Sequence, residues 1–85
     1  MVTVYTKNNC PKCMMTKNVL GSEGIPFQII NIDEDLNPNE REKKIQHFKG
    51  LGFMSMPIVI KDGMSPDDYI SGFNPEKLQL LKEDK

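Results

Sequence analysis

Two cysteines separated by two residues, Cys10-Pro11-Lys12-Cys13, follow a strand-like run and open a helix-like one. Val2-Thr3-Val4-Tyr5-Thr6 is built of β-branched and aromatic residues, the composition of a strand. Lys7-Asn8-Asn9 is polar and leads into the cysteines. A helix beginning near Pro11 places Cys10 at its N-terminus and Cys13 about one turn inside, close enough for the two sulfurs to bridge. The first sulfur then faces the unbonded N–H groups of the opening turn, and those groups with the helix dipole favour thiolate over thiol. Thiolate is the reactive form, so strand, C-x-x-C turn and helix together read as a dithiol–disulfide site.

The chain has 85 residues, which predicts one small domain, residues 1–85. Chains of this size bury roughly 60–65% of the surface they expose when unfolded, enough for one modest core. A net charge of −1 gives no electrostatic case for nucleic acid or a membrane surface as partner. No run approaches the roughly 18 apolar residues of a membrane span, and the sequence opens without the basic and apolar segments of a secretion signal. The two cysteines are too close together to staple a secreted mini-protein. These features predict a soluble cytoplasmic protein whose cysteines serve reactivity.

Pro11 suits a first helical position, where its fixed φ is helical and its missing N–H is not needed. Cys13, Thr16, Val19 and Leu20 fall on one helical face, which turns Cys13 inward, while Met14 and Met15 lie off that stripe. Gly21 and Gly24 bracket the helix end and Pro26 stops it. Phe27–Ile32 reads as a second strand whose apolar run predicts burial on both faces. A helical connection makes the first two strands parallel. Asp33–Asn37 is acidic and turn-like. Asn37-Pro38-Asn39-Glu40 carries a cap, a first-turn proline and a Glu three after the cap, the start of a second helix. Ile45 and Phe48 form its core stripe, and Gly50 and Gly52 end it. Pro57–Lys61 is a third strand, Asp62-Gly63 a turn, and a fourth strand around Asp68–Ser71 pairs antiparallel with the third. Asn74-Pro75-Glu76 repeats the helix-start pattern before Leu78, Leu80 and Leu81. The order β-α-β-α-β-β-α predicts an α/β fold, the thioredoxin type in its smallest form, with a central four-stranded mixed sheet flanked by three helices.

Over nearly its whole length the chain resembles glutaredoxin-like proteins, and among them the NrdH-redoxins. The likeness rests on Val4-Tyr5-Thr6-Lys7-Asn8-Asn9-Cys10-Pro11-Lys12-Cys13, Ile30-Asn31-Ile32-Asp33, Gly52-Phe53-Met54-Ser55-Met56-Pro57 and Ser71-Gly72-Phe73-Asn74-Pro75. It implies a small dithiol reductant, glutaredoxin-like in sequence and thioredoxin-like in behaviour. Thioredoxin reductase and the large subunit of class Ib ribonucleotide reductase are the implied partners, with no cofactor beyond the Cys10–Cys13 disulfide and a monomeric state. The family commonly has Trp where this chain has Ile70, and Arg or Lys where it has Asn74.

For the cysteines, the alternatives to redox chemistry are half a zinc site or two inert buried thiols. Zinc normally takes four ligands, and besides the cysteines the chain offers only His47 and carboxylates. Cys10 is expected to attack the partner disulfide and Cys13 to resolve the mixed disulfide. Lys7 and Lys12 lie near Cys10 in sequence and would lower its pKa by charge; Lys12 is equally a solvated lysine, whereas Lys7 matches a basic position three residues before the first cysteine across glutaredoxins, and the resemblance implies a functional role for it. Pro57 opens a strand, where a proline is ordinarily an edge feature. The resemblance implies instead a cis-proline opposite the cysteines, with the Met56 backbone offered to a partner segment. Phe53 is expected in the core, Met54 and Met56 in the core or flanking a substrate groove. His47 is expected to be exposed, and Asp33-Glu34-Asp35 a solvated loop.

Two other functions compete with the electron-donor reading. Glutathione-dependent glutaredoxins hold their ligand through a Gly-Gly-x-Asp-Asp stretch at the last helix start, where open N–H groups grip a carboxylate. Here that stretch is Ser71-Gly72-Phe73-Asn74-Pro75-Glu76, in which Pro75 lacks an N–H, Phe73 adds bulk and Glu76 adds repulsion. The third reading is a non-catalytic redox sensor or adaptor.

Overall fold

Strand β1 (Val2–Thr6) pairs on one side in parallel with β2 (Phe27–Asn31) and on the other antiparallel with β3 (Ile58–Lys61). A two-residue β4 (Ile70–Ser71) continues from β3, so the sheet runs β2-β1-β3-β4. The structure, a computed structural model, describes residues 1–53 and 56–81.

The alternation in β1 sorts its side chains between two helical layers. Val2 and Val4 join Val59 and Ile70 of the sheet, Leu20 of α1 (Pro11–Ser22) and Leu78 of α3 (Pro75–Gln79) in one buried cluster that also holds Ile25 and Leu81. Tyr5 points to the other face, where α2 (Pro38–Gly50) sets the buried Phe48 edge-on against its ring at 5.2 Å. Burying Phe48 and Leu20 stabilises each layer by about 2–3 kcal/mol per side chain.

All three helices start where Pro follows a capping residue. Asn37 and Glu40 form a reciprocal capping box on α2: the Glu40 N–H donates to Asn37 Oδ1 at 2.8 Å, and the Asn37 N–H to Glu40 Oε1 at 3.3 Å. Asn74 Oδ1 accepts from the Lys77 N–H at 3.2 Å and caps α3. The N-cap of α1 is Cys10 itself.

Two expectations change, for β2 and for the fourth strand. β2 is not buried on both faces: it is the edge of the sheet, with Gln28 and Ile29 exposed, and it ends at Asn31. An apolar run does not reveal whether one neighbour or two will lie beside it. α1 ends at Ser22, between Gly21 and Gly24 as expected, and Gly24 takes φ +69°. The fourth strand is shorter than its signal, because Pro66–Asp68 forms a 3-10 turn capped by the Ser65 hydroxyl, which accepts from Asp67 N–H at 3.3 Å. Leu78 of α3 and Leu81 just beyond it are buried, whereas Leu80 between them is 81% exposed. Among the described residues, no helix is long and apolar enough to cross a membrane.

Candidate active site

Cys10 and Cys13 form a disulfide, with Cα atoms 5.2 Å apart. Cys10 has extended backbone angles (φ −120°, ψ 94°) and closes the start of α1 as a serine or aspartate would. Its sulfur accepts the Cys13 N–H at 3.2 Å. That N–H belongs to the unbonded first turn and carries the positive end of the helix dipole, so the same contact strengthens when Cys10 becomes a thiolate. Cys13 is 3% exposed on the inner face of α1 beside Thr16 and Leu20, and Cys10 remains partly open. One sulfur is reachable and the other is not.

Pro11 is the first helical residue, and Lys12 follows it, exposed on the same turn. Lys7 is exposed on the preceding loop and shares with Asp33, Arg41, Phe53 and Met56 the walls of a groove of about 230 Å³. The Met56–Pro57 peptide bond is cis, and Pro57 is buried. The carbonyl of Pro57 accepts the Gly72 N–H at 2.9 Å, one step beyond the Ile58–Ser71 pair of the β3–β4 ladder. Ser71 and Gly72 are thereby fixed beside Pro57, and Phe73 turns its side chain onto the core cluster. Phe53 is half-buried with its ring 6.0 Å from Tyr69, and Met54 lies outside the described residues. His47 is exposed, as expected, with its ring tilted 5.7 Å from Phe48. Among the described residues, no three metal-ligating side chains come together.

The acidic stretch after β2 is more than a solvated loop. Asp33 Oδ2 accepts the Asn8 N–H at 3.0 Å and Asp33 Oδ1 accepts Arg41 Nε at 2.9 Å. Asn31 Nδ2 donates to Asn8 Oδ1 at 3.1 Å, while Asn31 Oδ1 accepts the Asp33 N–H at 2.8 Å. The Asn8 N–H, then the Arg41 guanidinium, hold the Asp33 carboxyl below the usual carboxylate range. This network anchors the loop just before Cys10, where Asn9 takes a left-handed φ of 55°. Its only trace in the sequence is the pairing of Asn31 and Asp33 at the end of the second strand; Asn8 lies 25 residues from Asp33, beyond any local pattern, and Arg41 lies 8 residues on, in α2.

The chain matches the glutaredoxin family profile over residues 2–65. It is 44% identical to the glutaredoxin-like protein NrdH of Lactococcus lactis subsp. cremoris over 95% of this chain and 99% of that one. It is 34% identical to the NrdH protein of Salmonella typhimurium over 94% and 86% of the two chains. Among solved structures it is similar to the NrdH-redoxin of Escherichia coli, a glutaredoxin-like protein with a thioredoxin-like activity profile. The TM-score is 0.78 at 27% identity, covering 99% of this chain and 97% of that one. A glutaredoxin of Archaeoglobus fulgidus superposes with a TM-score of 0.75 at 36% identity, over 94% and 83% of the chains.

Proposed function

The chain belongs to the glutaredoxin family, as one of its NrdH-type thiol–disulfide oxidoreductases, and on that premise we propose that it is a protein-to-protein electron carrier independent of glutathione. Thioredoxin reductase recharges its disulfide, and the large subunit of class Ib ribonucleotide reductase takes the electrons. It works as one monomeric domain, in the cytoplasm, with the Cys10–Cys13 pair as its only redox group.

In the reaction, the Cys10 thiolate attacks one sulfur of the partner's disulfide. A Cys10–partner bond forms, the partner's disulfide breaks, and its other sulfur leaves as thiolate. The Cys13 thiolate then attacks Cys10, the Cys10–partner bond breaks, and the partner leaves as a dithiol after taking up protons. Two electrons pass from this protein to its partner, and the Cys10–Cys13 disulfide is left behind. Lys7 and Lys12 favour the Cys10 thiolate by charge. Pro11 starts the helix that presents it; the half-buried Met56, Ser71 and Phe73 offer the surface for a partner segment, and the buried Pro57 and Gly72, hydrogen-bonded to each other, hold it in place.

The observation that carries the choice of electron source is the closed start of α3. Asn74 occupies the Lys77 N–H, Pro75 has none to give, and Glu76 stands in the first turn. A glutathione carboxylate needs open N–H groups and a positive field at this place. The thioredoxin-like activity profile of the Escherichia coli relative supports the same choice. The deciding assay compares NADPH oxidation through thioredoxin reductase with that through glutathione and its reductase, using the oxidised protein as substrate. Turnover is expected only with thioredoxin reductase; equal recycling by glutathione makes the chain an ordinary glutaredoxin, and turnover with neither favours the sensor reading.

A further inference from the structure

Thr16 is completely buried, and its Oγ1 has no hydrogen-bond partner among the described residues. A helical threonine ordinarily settles this by donating to a carbonyl one turn back. Thr16 does not, although an unsatisfied buried hydroxyl is costly enough that native structures hold few of them. The residue one turn before it on the same buried face is Cys13. Side chains at i and i+3 have Cβ atoms about 5–6 Å apart, and those of a helix lean toward its N-terminus, so Thr16 leans over Cys13. In the disulfide, the Cys13 sulfur is bonded to Cys10 and is only a weak acceptor. After reduction it becomes a buried thiol or thiolate, which needs a donor, and the Thr16 hydroxyl is the group at hand.

We propose that Thr16 is a catalytic residue of the resolving step, donating its Oγ1–H to the Cys13 sulfur whenever that sulfur is not in the disulfide. The inference rests on the reading that Cys10 attacks and Cys13 resolves. The hydroxyl keeps its proton throughout. It stabilises the Cys13 thiolate by a hydrogen bond, so that more of the buried thiol is ionised and able to attack; the Cys13–Cys10 bond then forms as the Cys10–partner bond breaks. The hydroxyl is satisfied in the dithiol and unsatisfied in the disulfide, so the same contact also tilts the redox equilibrium toward the dithiol form.

The test uses the whole reduced protein with an aromatic disulfide that releases a coloured thiolate. Attack by Cys10 frees one equivalent of thiolate, and resolution by Cys13 frees a second. Thr16→Val, which keeps the shape and removes the hydroxyl, should leave the first phase unchanged and slow the second by about threefold, a roughly tenfold smaller thiolate fraction being partly offset by the greater nucleophilicity of the less stabilised thiolate. It should shift the equilibrium with dithiothreitol toward the disulfide by a similar factor, and Thr16→Ser should restore both. Thr16→Ala serves if the valine variant does not fold. Unchanged second phase and equilibrium overturn the proposal, as does equal slowing of both phases or failure of serine to rescue. If the wild type itself releases no second equivalent, Cys13 does not resolve, and the underlying reading falls together with the proposal.

Discussion

The Gly72 N–H donates to the Pro57 carbonyl at 2.9 Å, and this bond joins the two segments that flank the proposed docking surface. Gly72 holds φ at +73°, where L side chains are disfavoured, although a Cβ there would meet no atom within 4 Å. Gly72→Ala is therefore expected to destabilise the protein by about 1–2 kcal/mol through backbone conformation alone. A urea midpoint unchanged in that variant would show that the segment relaxes without cost.

The exposure difference between the two sulfurs sets the next expectation. Cys10→Ser should abolish disulfide reduction, whereas Cys13→Ser should accumulate mixed disulfides with its partners, because nothing remains to resolve them. Alkylation of the reduced protein at neutral pH, followed by peptide mapping, should label Cys10 first. Faster labelling of Cys13 would reverse the two roles.

At the start of α3, four substitutions reopen the site that a glutathione carboxylate needs. Phe73→Gly, Asn74→Ala, Pro75→Ala and Glu76→Gln together remove the bulk, free the Lys77 N–H, restore a second N–H and take away the opposing charge, and should confer measurable glutathione-dependent turnover on a protein proposed to lack it. Continued silence in a folded quadruple variant would move the obstacle to glutathione elsewhere on the surface.

Asp33 ties stability to pH. Its native pKa is depressed by the Asn8 N–H and by Arg41, so its contribution is fully present above the unfolded value of about 3.9 and is lost as pH falls through the lower native value. Asp33→Asn should thus lower stability at neutral pH, and the gap between the two proteins should close under acid. Urea melts of both proteins across that range measure it. A gap that stays constant with pH would mean that the carboxylate's charge plays no part.

What could be read before the structure follows from how local each signal is. Asn37-Pro38 and Asn74-Pro75 mark helix starts because cap and first turn lie within four residues, and both helices begin there. Cys13 could be turned inward from helical spacing alone, since Thr16 and Leu20 fall on the same stripe. The exposure of Ile29 was not legible, because it depends on the order of strands in the sheet and not on the strand itself. Nor was the clasp of Asp33 on Asn8, which forms only once β1 and β2 lie side by side, or on Arg41, which needs α2 folded back beside that loop. The orphaned hydroxyl of Thr16 was hidden for a similar reason: a threonine on an apolar stripe reads as a small core residue until its partners are counted.

With Cys13 3% exposed, the proposed mechanism makes Cys10 the port through which electrons arrive and depart. Donor and acceptor must therefore visit in turn, and no complex can hold both at the working sulfur. Steady-state rates measured against each partner should give parallel reciprocal lines, the signature of a ping-pong carrier. Because both partners use the same port, an inert mimic of either should compete with both, and a large excess of oxidised acceptor should itself slow recharging by the donor.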